Sequence, residues 1–392
     1  MPFDFSSANL DREFPVRRGL VYLNHAAVAP LPRRVADAVV AHVENLRDRG
    51  AADWRRWYGG IERTREKAAI FLGARRSEIA FLPSTSWALN LVAHSFAWKA
   101  GDNVVGDDME FPPNSYPWRM LEERGVEYRV ARNRAGRIAL EDLAEKIDAR
   151  TRIVAVSWVA FHNGFVFPLE ELGTLCRERG ILFVVDAIQG LGALPLDVAQ
   201  AKIDVLAADA HKWLLGQEVC TLFYVGEHAR EQLPPPFVGW WNLRLDEDAG
   251  FLSSGASLHS GARRYEPGSL PTAQIAGLEA SIGLLTEMGG EPVRRRILEL
   301  VTALRDGLAA RGWRIVTPEP LASGILAASP PSGDEIAIAK ALEGRGVIVA
   351  PREGAVRFSP HASNDRLEIE KALAAIDAID GRGPETHSRK LR

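Results

Sequence analysis

The sequence predicts an α/β protein: a large domain built on a mostly parallel, seven-stranded sheet, and a smaller α/β domain in the C-terminal third. Three observations predict it. Between Ile79 and Val225, short β-rich runs alternate with turns and amphipathic helical patterns, which requires parallel strands joined by right-handed crossovers. The runs Ile153-Val154-Ala155-Val156 and Leu182-Phe183-Val184-Val185 are apolar at every position, as strands covered on both faces must be. After Pro271, two long helical patterns lead into a second, shorter series of strands and helices.

Taken in order, the strand candidates are Ile79–Leu82, Asn103–Gly106, Glu127–Val130, Arg152–Ser157, Ile181–Val185, Asp204–Ala207 and Thr221–Val225. Leu140–Ile147 and Leu169–Arg179 carry apolar residues at three- and four-residue spacing and read as helices between them. Pro234–Pro271, with three consecutive prolines and Trp240-Trp241, reads as a long loop region. Helices are expected at Thr272–Glu287 and Pro292–Ala310. There follow strand Gly324–Ala328, helix Asp334–Leu342, strands Val347–Ala350 and Ala355–Ser359, and helix Asp365–Ile376. The expected division is a large domain over 16–284, a small domain from 1–15 and 285–380, and a disordered polar tail over 381–392.

Composition narrows the function. The 392 residues are 46% hydrophobic and 25% charged, ordinary for a globular protein, and the net charge of −3 draws the chain neither to nucleic acid nor to an anionic membrane. Two cysteines, Cys176 and Cys220, cannot build a disulfide framework. No signal peptide is visible at the N-terminus, and no apolar run reaches the ~18 residues of a membrane span. There is no G-x-x-x-x-G-K-[ST], no G-x-G-x-x-G after a strand, no H-E-x-x-H, no C-x-x-C and no G-x-S-x-G. The expectation is a cytoplasmic enzyme with no metal, no nucleic-acid partner and no membrane association.

Three features fall at the carboxyl ends of predicted strands, where open α/β sheets place ligands. They are Asp186, followed by Ala187-Ile188-Gln189-Gly190; Asp209-Ala210-His211-Lys212; and Pro83-Ser84-Thr85-Ser86, before a helix starting near Trp87. Singly, the serines could be a helix N-cap and Lys212 a surface lysine. Asp186, directly after four buried residues, needs a partner. Together they fit pyridoxal 5′-phosphate. Lys212 would form the Schiff base with its aldehyde. Asp186 would keep its pyridine nitrogen protonated. Thr85, Ser86 and the helix N-terminus would receive its phosphate.

At this point the chain resembles the class V aminotransferase family of fold-type I pyridoxal-phosphate enzymes, which includes cysteine desulfurases, selenocysteine lyases, kynureninases and isopenicillin N epimerase-like proteins. The resemblance runs from Tyr22-Leu23-Asn24-His25-Ala26-Ala27 to Arg357-Phe358-Ser359-Pro360-His361, and its specific part is Val185-Asp186-Ala187-Ile188-Gln189-Gly190 with Lys212 26 residues after Asp186. It implies a fold-type I architecture with Lys212 as the Schiff-base lysine and Asp186 on the ring nitrogen. Gln189 would bond the ring hydroxyl, and Asp209 and His211 would lie beside the phosphate. Asp209 departs from the small hydroxyl residue usual in the family, and a carboxylate there would repel a phosphate. Phe111, in Glu110-Phe111-Pro112-Pro113-Asn114, falls where the family stacks a ring on the cofactor, and Asn163 falls near the cofactor face. Ser269 matches a Thr that reaches the phosphate of the neighbouring subunit, which implies a homodimer with shared active sites.

For an amino-acid substrate, Arg357 resembles the carboxylate-binding arginine, with Arg352 a second candidate; Asn24 and His25 fall on a segment that lines the substrate side in relatives. Desulfurases that form a persulfide use a cysteine on a loop of the C-terminal domain, which this chain lacks. The resemblance therefore implies an α-amino-acid-transforming enzyme, with transamination first, a lyase acting at Cβ without a protein thiol next, and an epimerase third. A cofactor- or amino-acid-binding protein without turnover is disfavoured, since Lys212 and Asp186 are both present.

Overall fold

The structure, a computed structural model, describes residues 3–244 and 257–381. Seven strands form the large sheet: β1 (Ile79–Leu82), β2 (Asn103–Asp107), β3 (Glu127–Ala131), β4 (Thr151–Ser157), β5 (Leu182–Asp186), β6 (Val205–Asp209) and β7 (Thr221–Val225). Their order is β1-β7-β6-β5-β4-β2-β3. Only β7 runs against its neighbours, and β2 to β6 are mutually parallel. All seven predicted strands are present. The difference lies at their ends: pairing of Ser157 with Asp186 and of Asp209 with Thr221 carries β5 and β6 on to their aspartates. These acids are therefore the last residues of strands, held by ladder hydrogen bonds, rather than members of a free turn.

Alternation sorts the strands into two apolar layers. Val154, Val156, Phe183 and Val185 face one core; Ile153, Ala155, Leu182 and Val184 face the other. Burying each such aliphatic side chain stabilises the fold by about 1.5–3 kcal/mol before entropy is counted. Helices cover both faces. Two of them, α1 (Arg33–Arg49) and α2 (Trp54–Leu72), were not predicted. In α1 only Val35 is buried while Val40, Val43 and Leu46 are exposed, so no apolar stripe marks it. Both pack on a later helix, Thr272–Met288.

A second sheet is antiparallel: β8 (Arg314–Ile315), β9 (Leu326–Ser329), β10 (Ala350–Arg352) and β11 (Ala355–Phe358), in the order β8-β9-β11-β10. The single strand expected over Val347–Ala350 is two pieces. Val347–Ile348 pairs in parallel with Val21–Tyr22, and Ala350 turns to pair with Arg357. The N-terminal segment thus joins the C-terminal sheet, and Asn24 continues the contact by bridging to Ser359. In the Pro234–Pro271 stretch, Leu243–Arg244 pairs with Ser257–Leu258. The residues between them, and the tail expected to be disordered from 382 onward, lie outside the described residues. No helix among the described residues is long and apolar enough to cross a membrane.

Candidate active site

Parallel strands end together, and the ends of β4, β5 and β6 meet at one pocket. Its walls are Ser157, Val159, Phe161, Asp186, Ile188, Gln189, Lys212 and Phe111. Asp186 is 3% exposed and accepts one backbone bond, from the Ile188 N–H at 3.0 Å. Burial pushes its carboxyl up to about 6, against the pull of that amide and of Lys212. The Lys212 amine lies 5.9 Å from the Phe111 ring centroid and makes no hydrogen bond or ion pair among the described residues. Burial lowers it to about 8; Asp186 and Asp209 oppose this, while Arg357 and Arg352 add to it. An amine that can lose its proton near neutrality therefore faces a buried acid that lacks a cationic partner.

The turn after Asp186 is shaped by packing. A Cβ on Gly190 would come within 2.3 Å of the Trp158 ring, so this position admits only glycine. Gln189 has its carboxamide fixed between two partners: Trp213 Nε1 donates to its Oε1 at 2.9 Å, and its Nε2 donates to the Ala26 carbonyl at 3.0 Å. One Gln189 N–H remains for the pocket.

At the other end, Ser84 caps the helix α3 (Thr85–Ser95) by accepting from the Trp87 N–H at 3.0 Å. The buried Thr85 hydroxyl accepts from the Asp209 N–H at 3.0 Å and so ties α3 to the end of β6. The Asp209 carboxylate accepts from the Ala210 N–H at 2.8 Å and lies 3.4 Å from His211 Nδ1. It is thus turned onto its own loop, with the Ala210 N–H as its hydrogen-bond donor and the His211 ring beside it. Ser86 follows on the first turn of α3.

Other predicted residues spread out. Arg357 is buried, donates from Nη1 to the Phe161 carbonyl at 2.7 Å, and is lowered to about 10 by burial and by Arg352. Its Nε is buried with no partner, which leaves a donor for an incoming anion. Arg352 is exposed and bonds the Pro351 carbonyl. Asn163 is committed to backbone, donating to Gly136 and accepting from Phe165, so it braces a turn instead of presenting its amide to the pocket. His25 is not on the pocket wall. It stands behind the lysine loop, its ring 6.4 Å from Trp213 and 5.3 Å from His361, with Nδ1 3.1 Å from the Ser359 carbonyl. Asn24 beside it has a buried, unpartnered Oδ1. Ser269 is exposed on an apolar groove with Leu82, Pro83 and Trp87, away from Lys212. Its loop is anchored by Glu266, which forms a buried bidentate pair with Arg65 at 2.8 and 3.0 Å.

Two groups escaped the sequence reading. Trp213, fully buried, links Gln189 to the histidines. Glu110 accepts from both the Ser157 N–H and the Ser157 hydroxyl. The only sequence signal for it was its place beside Phe111.

The model of the family described as Aminotransferase class-V matches residues 21–367. The chain belongs to this family. Among the chain's relatives is a probable cysteine desulfurase of Methanothermobacter thermautotrophicus, 29% identical with 95% of this chain and 98% of the relative covered. An isopenicillin N epimerase of Amycolatopsis lactamdurans is also 29% identical, over 95% and 98% of the two chains. An apo cysteine desulfurase structure from Thermococcus onnurineus shares the class V fold with a TM-score of 0.88, at 24% identity over 97% and 99% of the chains. The protein is thus a fold-type I enzyme with pyridoxal 5′-phosphate as its cofactor. The residues fit that group: a buried acid in no ion pair and an amine with no hydrogen bond line one pocket, and Thr85 ties a capped helix N-terminus to the strand end that precedes the amine.

Proposed function

We propose that this class V enzyme transfers the amino group of an α-amino acid to a keto acid. Bound in the pocket, pyridoxal 5′-phosphate supplies an aldehyde for amines and a ring that accepts the electron pair left at the substrate's Cα. The chain's own groups do the rest. Lys212 would hold the cofactor through its amine and would be the base that takes the proton from the substrate's Cα and delivers it on the same face. Asp186 holds the proton at the ring nitrogen. Thr85, Ser86 and the first amides of α3 bind the phosphate, with Asp209 and His211 bracing that end. Gln189 would offer its free N–H to the ring hydroxyl, Phe111 would stack on the ring, and Arg357 would orient the substrate carboxylate.

One observation carries the choice of reaction. Lys212 faces a wall made by Phe111, Phe161 and Val159, which hold no titratable group. A proton taken by Lys212 has one face to return to, which favours amino transfer over inversion at Cα. A second reading is elimination at Cβ, in which Lys212 hands its proton to the leaving group. It is supported by the relative named a probable cysteine desulfurase. A persulfide relay is disfavoured, because Cys176 and Cys220 are both buried and burial pushes their thiols up, that of Cys176 to about 12. The test is an amino-acid panel with and without keto-acid acceptors. Amino transfer that requires the acceptor supports the reading; keto acid formed at the same rate without any acceptor overturns it in favour of elimination.

The proposal includes a cytoplasmic homodimer. Its support is the exposed groove at Ser269, continued by exposed Trp87 and Phe237, whose rings lie 5.4 Å apart. Sedimentation as a monomer at working concentration, with Ser269→Ala retaining its cofactor like wild type, would exclude shared sites.

A further inference from the structure

Behind the pocket lies a buried acidic pair that the reaction does not use. Asp107 ends β2 and is 3% exposed. Its Oδ1 accepts from the Met109 N–H at 2.8 Å, and its Oδ2 has no donor. The carboxyl of Glu110 faces it closely enough to bond it. Glu110 is surrounded by donors: the Ser157 amide and hydroxyl, and Asn114 Nδ2 at 2.9 Å. Asn114 in turn accepts from the buried Trp118 Nε1 at 3.2 Å. Burial raises both acids; the Asp107 charge raises Glu110 further and the Asp108 charge raises Asp107, while contact with Glu110 draws Asp107 back down. Three donors favour the negative charge on Glu110, which leaves the pair's shared proton to Asp107.

This cluster touches the pocket at two points. Ser157 lies opposite Asp186 in the β4–β5 ladder, and the next residue, Trp158, donates its N–H to the Asp186 carbonyl at 2.8 Å. Phe111 directly follows Glu110, and its ring meets Phe161 edge-on at 5.0 Å. The acid that accepts from the end of β4 therefore also fixes the backbone of the stacking ring.

We propose that Glu110 is a positioning residue for the cofactor: by holding Ser157 and Asn114 at once, it sets the separation between the Phe111 ring and the Asp186 carboxylate. Removing its charge loosens the slot that receives the ring without opening the core, because a glutamine fills the same volume. The inference rests on the placement of the cofactor ring between Phe111 and Asp186.

The experiment compares Glu110→Gln and Ser157→Ala with wild type, in apo and reconstituted forms. Expected for both variants is cofactor dissociation on dialysis faster by about tenfold, the loss of roughly one charge-assisted hydrogen bond. The visible circular dichroism of the bound cofactor should weaken with it. The apo melting temperature of Glu110→Gln should stay level or rise, since a buried charge is removed and its volume kept. The double variant should lose no more than the larger single loss, because the two residues act through one bond. Cofactor retention and dichroism unchanged in both variants, or an apo melting temperature falling in step with retention, overturns the inference. Phe111→Leu and Asp186→Asn separate it from its premise: if neither alters the dichroism, the ring placement itself is wrong; if both do and Glu110→Gln does not, only the role of Glu110 falls.

Discussion

Two buried titratable pairs flank the lysine pocket, and they handle charge in opposite ways. Beside β4, Asp107 and Glu110 keep one negative charge between them, because Ser157 and Asn114 surround it with donors. Behind Lys212, His25 and His361 keep none: their rings pack on each other at 5.3 Å and on Trp213, and burial holds both below the ordinary histidine range. The acidic flank lies next to Asp186, which in the proposed reaction would hold a cation; the aromatic flank lies behind an amine that in the same reaction would lose one. The contrast teaches that burial alone decides neither case. It pushes acids up and histidines down alike, and the hydrogen-bond donors around the group decide whether a charge survives.

The largest effect comes from deleting the group that both flanks serve. Lys212→Ala should cut turnover by at least about three orders of magnitude, since the other titratable group on the pocket wall, Asp186, is the one proposed to serve the ring nitrogen. Borohydride treatment should no longer fix the cofactor to the chain, as mass spectrometry of the denatured protein would show. Turnover within about tenfold of wild type would mean that a flank titrates into the pocket, and the comparison would break.

Much of this was legible in the sequence because it is local and periodic. Asp186 follows a run of buried residues, Lys212 lies a fixed distance on, and both fall at ends of strands whose apolar character is unmistakable. The acidic flank was not legible, because Glu110 finds its partner Ser157 47 residues away through the crossing of two strands. His25 was expected to face substrate; the chain order shows the segment but not which side its ring takes, and pairing with Ser359 turns it inward. Asn163 failed similarly, since a carboxamide near a turn is captured by backbone. The helices α1 and α2 were missed because exposed apolar residues, Val40, Val43 and Leu46 in the first and Trp54 and Ile70 in the second, blur the stripe that marks a helix.

The aromatic flank gives the next effect, on stability as a function of pH. His25 is held at about 4 in the folded chain against 6.5 unfolded. Unfolded chains therefore take the proton first: stability is complete above pH 6.5 and is lost as pH falls from there through 4. The loss at pH 4 is about 3 kcal/mol for this group, and His361, shifted in the same direction, adds to it. His361→Phe keeps a ring against Trp213 and removes one of the two protons. Urea midpoints across this window should fall less steeply for the variant than for wild type. Parallel curves would mean that acid unfolding starts elsewhere.

The acidic flank should show the smaller shift, with the opposite sign. Asp107 is raised to about 6 when folded, against 3.8 unfolded. Here the folded chain takes the proton first, so the stabilisation is complete below pH 3.8 and is lost as pH rises through 6. Asp107→Asn offers the same donor to Glu110 at every pH and has no proton to lose. The variant should match wild type near pH 4 and exceed it by about 3 kcal/mol at pH 8, read from urea midpoints of the apo protein. Because Glu110 keeps its acceptors for Ser157 and Asn114, cofactor dissociation should not change in this variant. A gain in stability accompanied by faster dissociation would put the charge that positions Phe111 on Asp107, and the roles of the two acids would have to be exchanged.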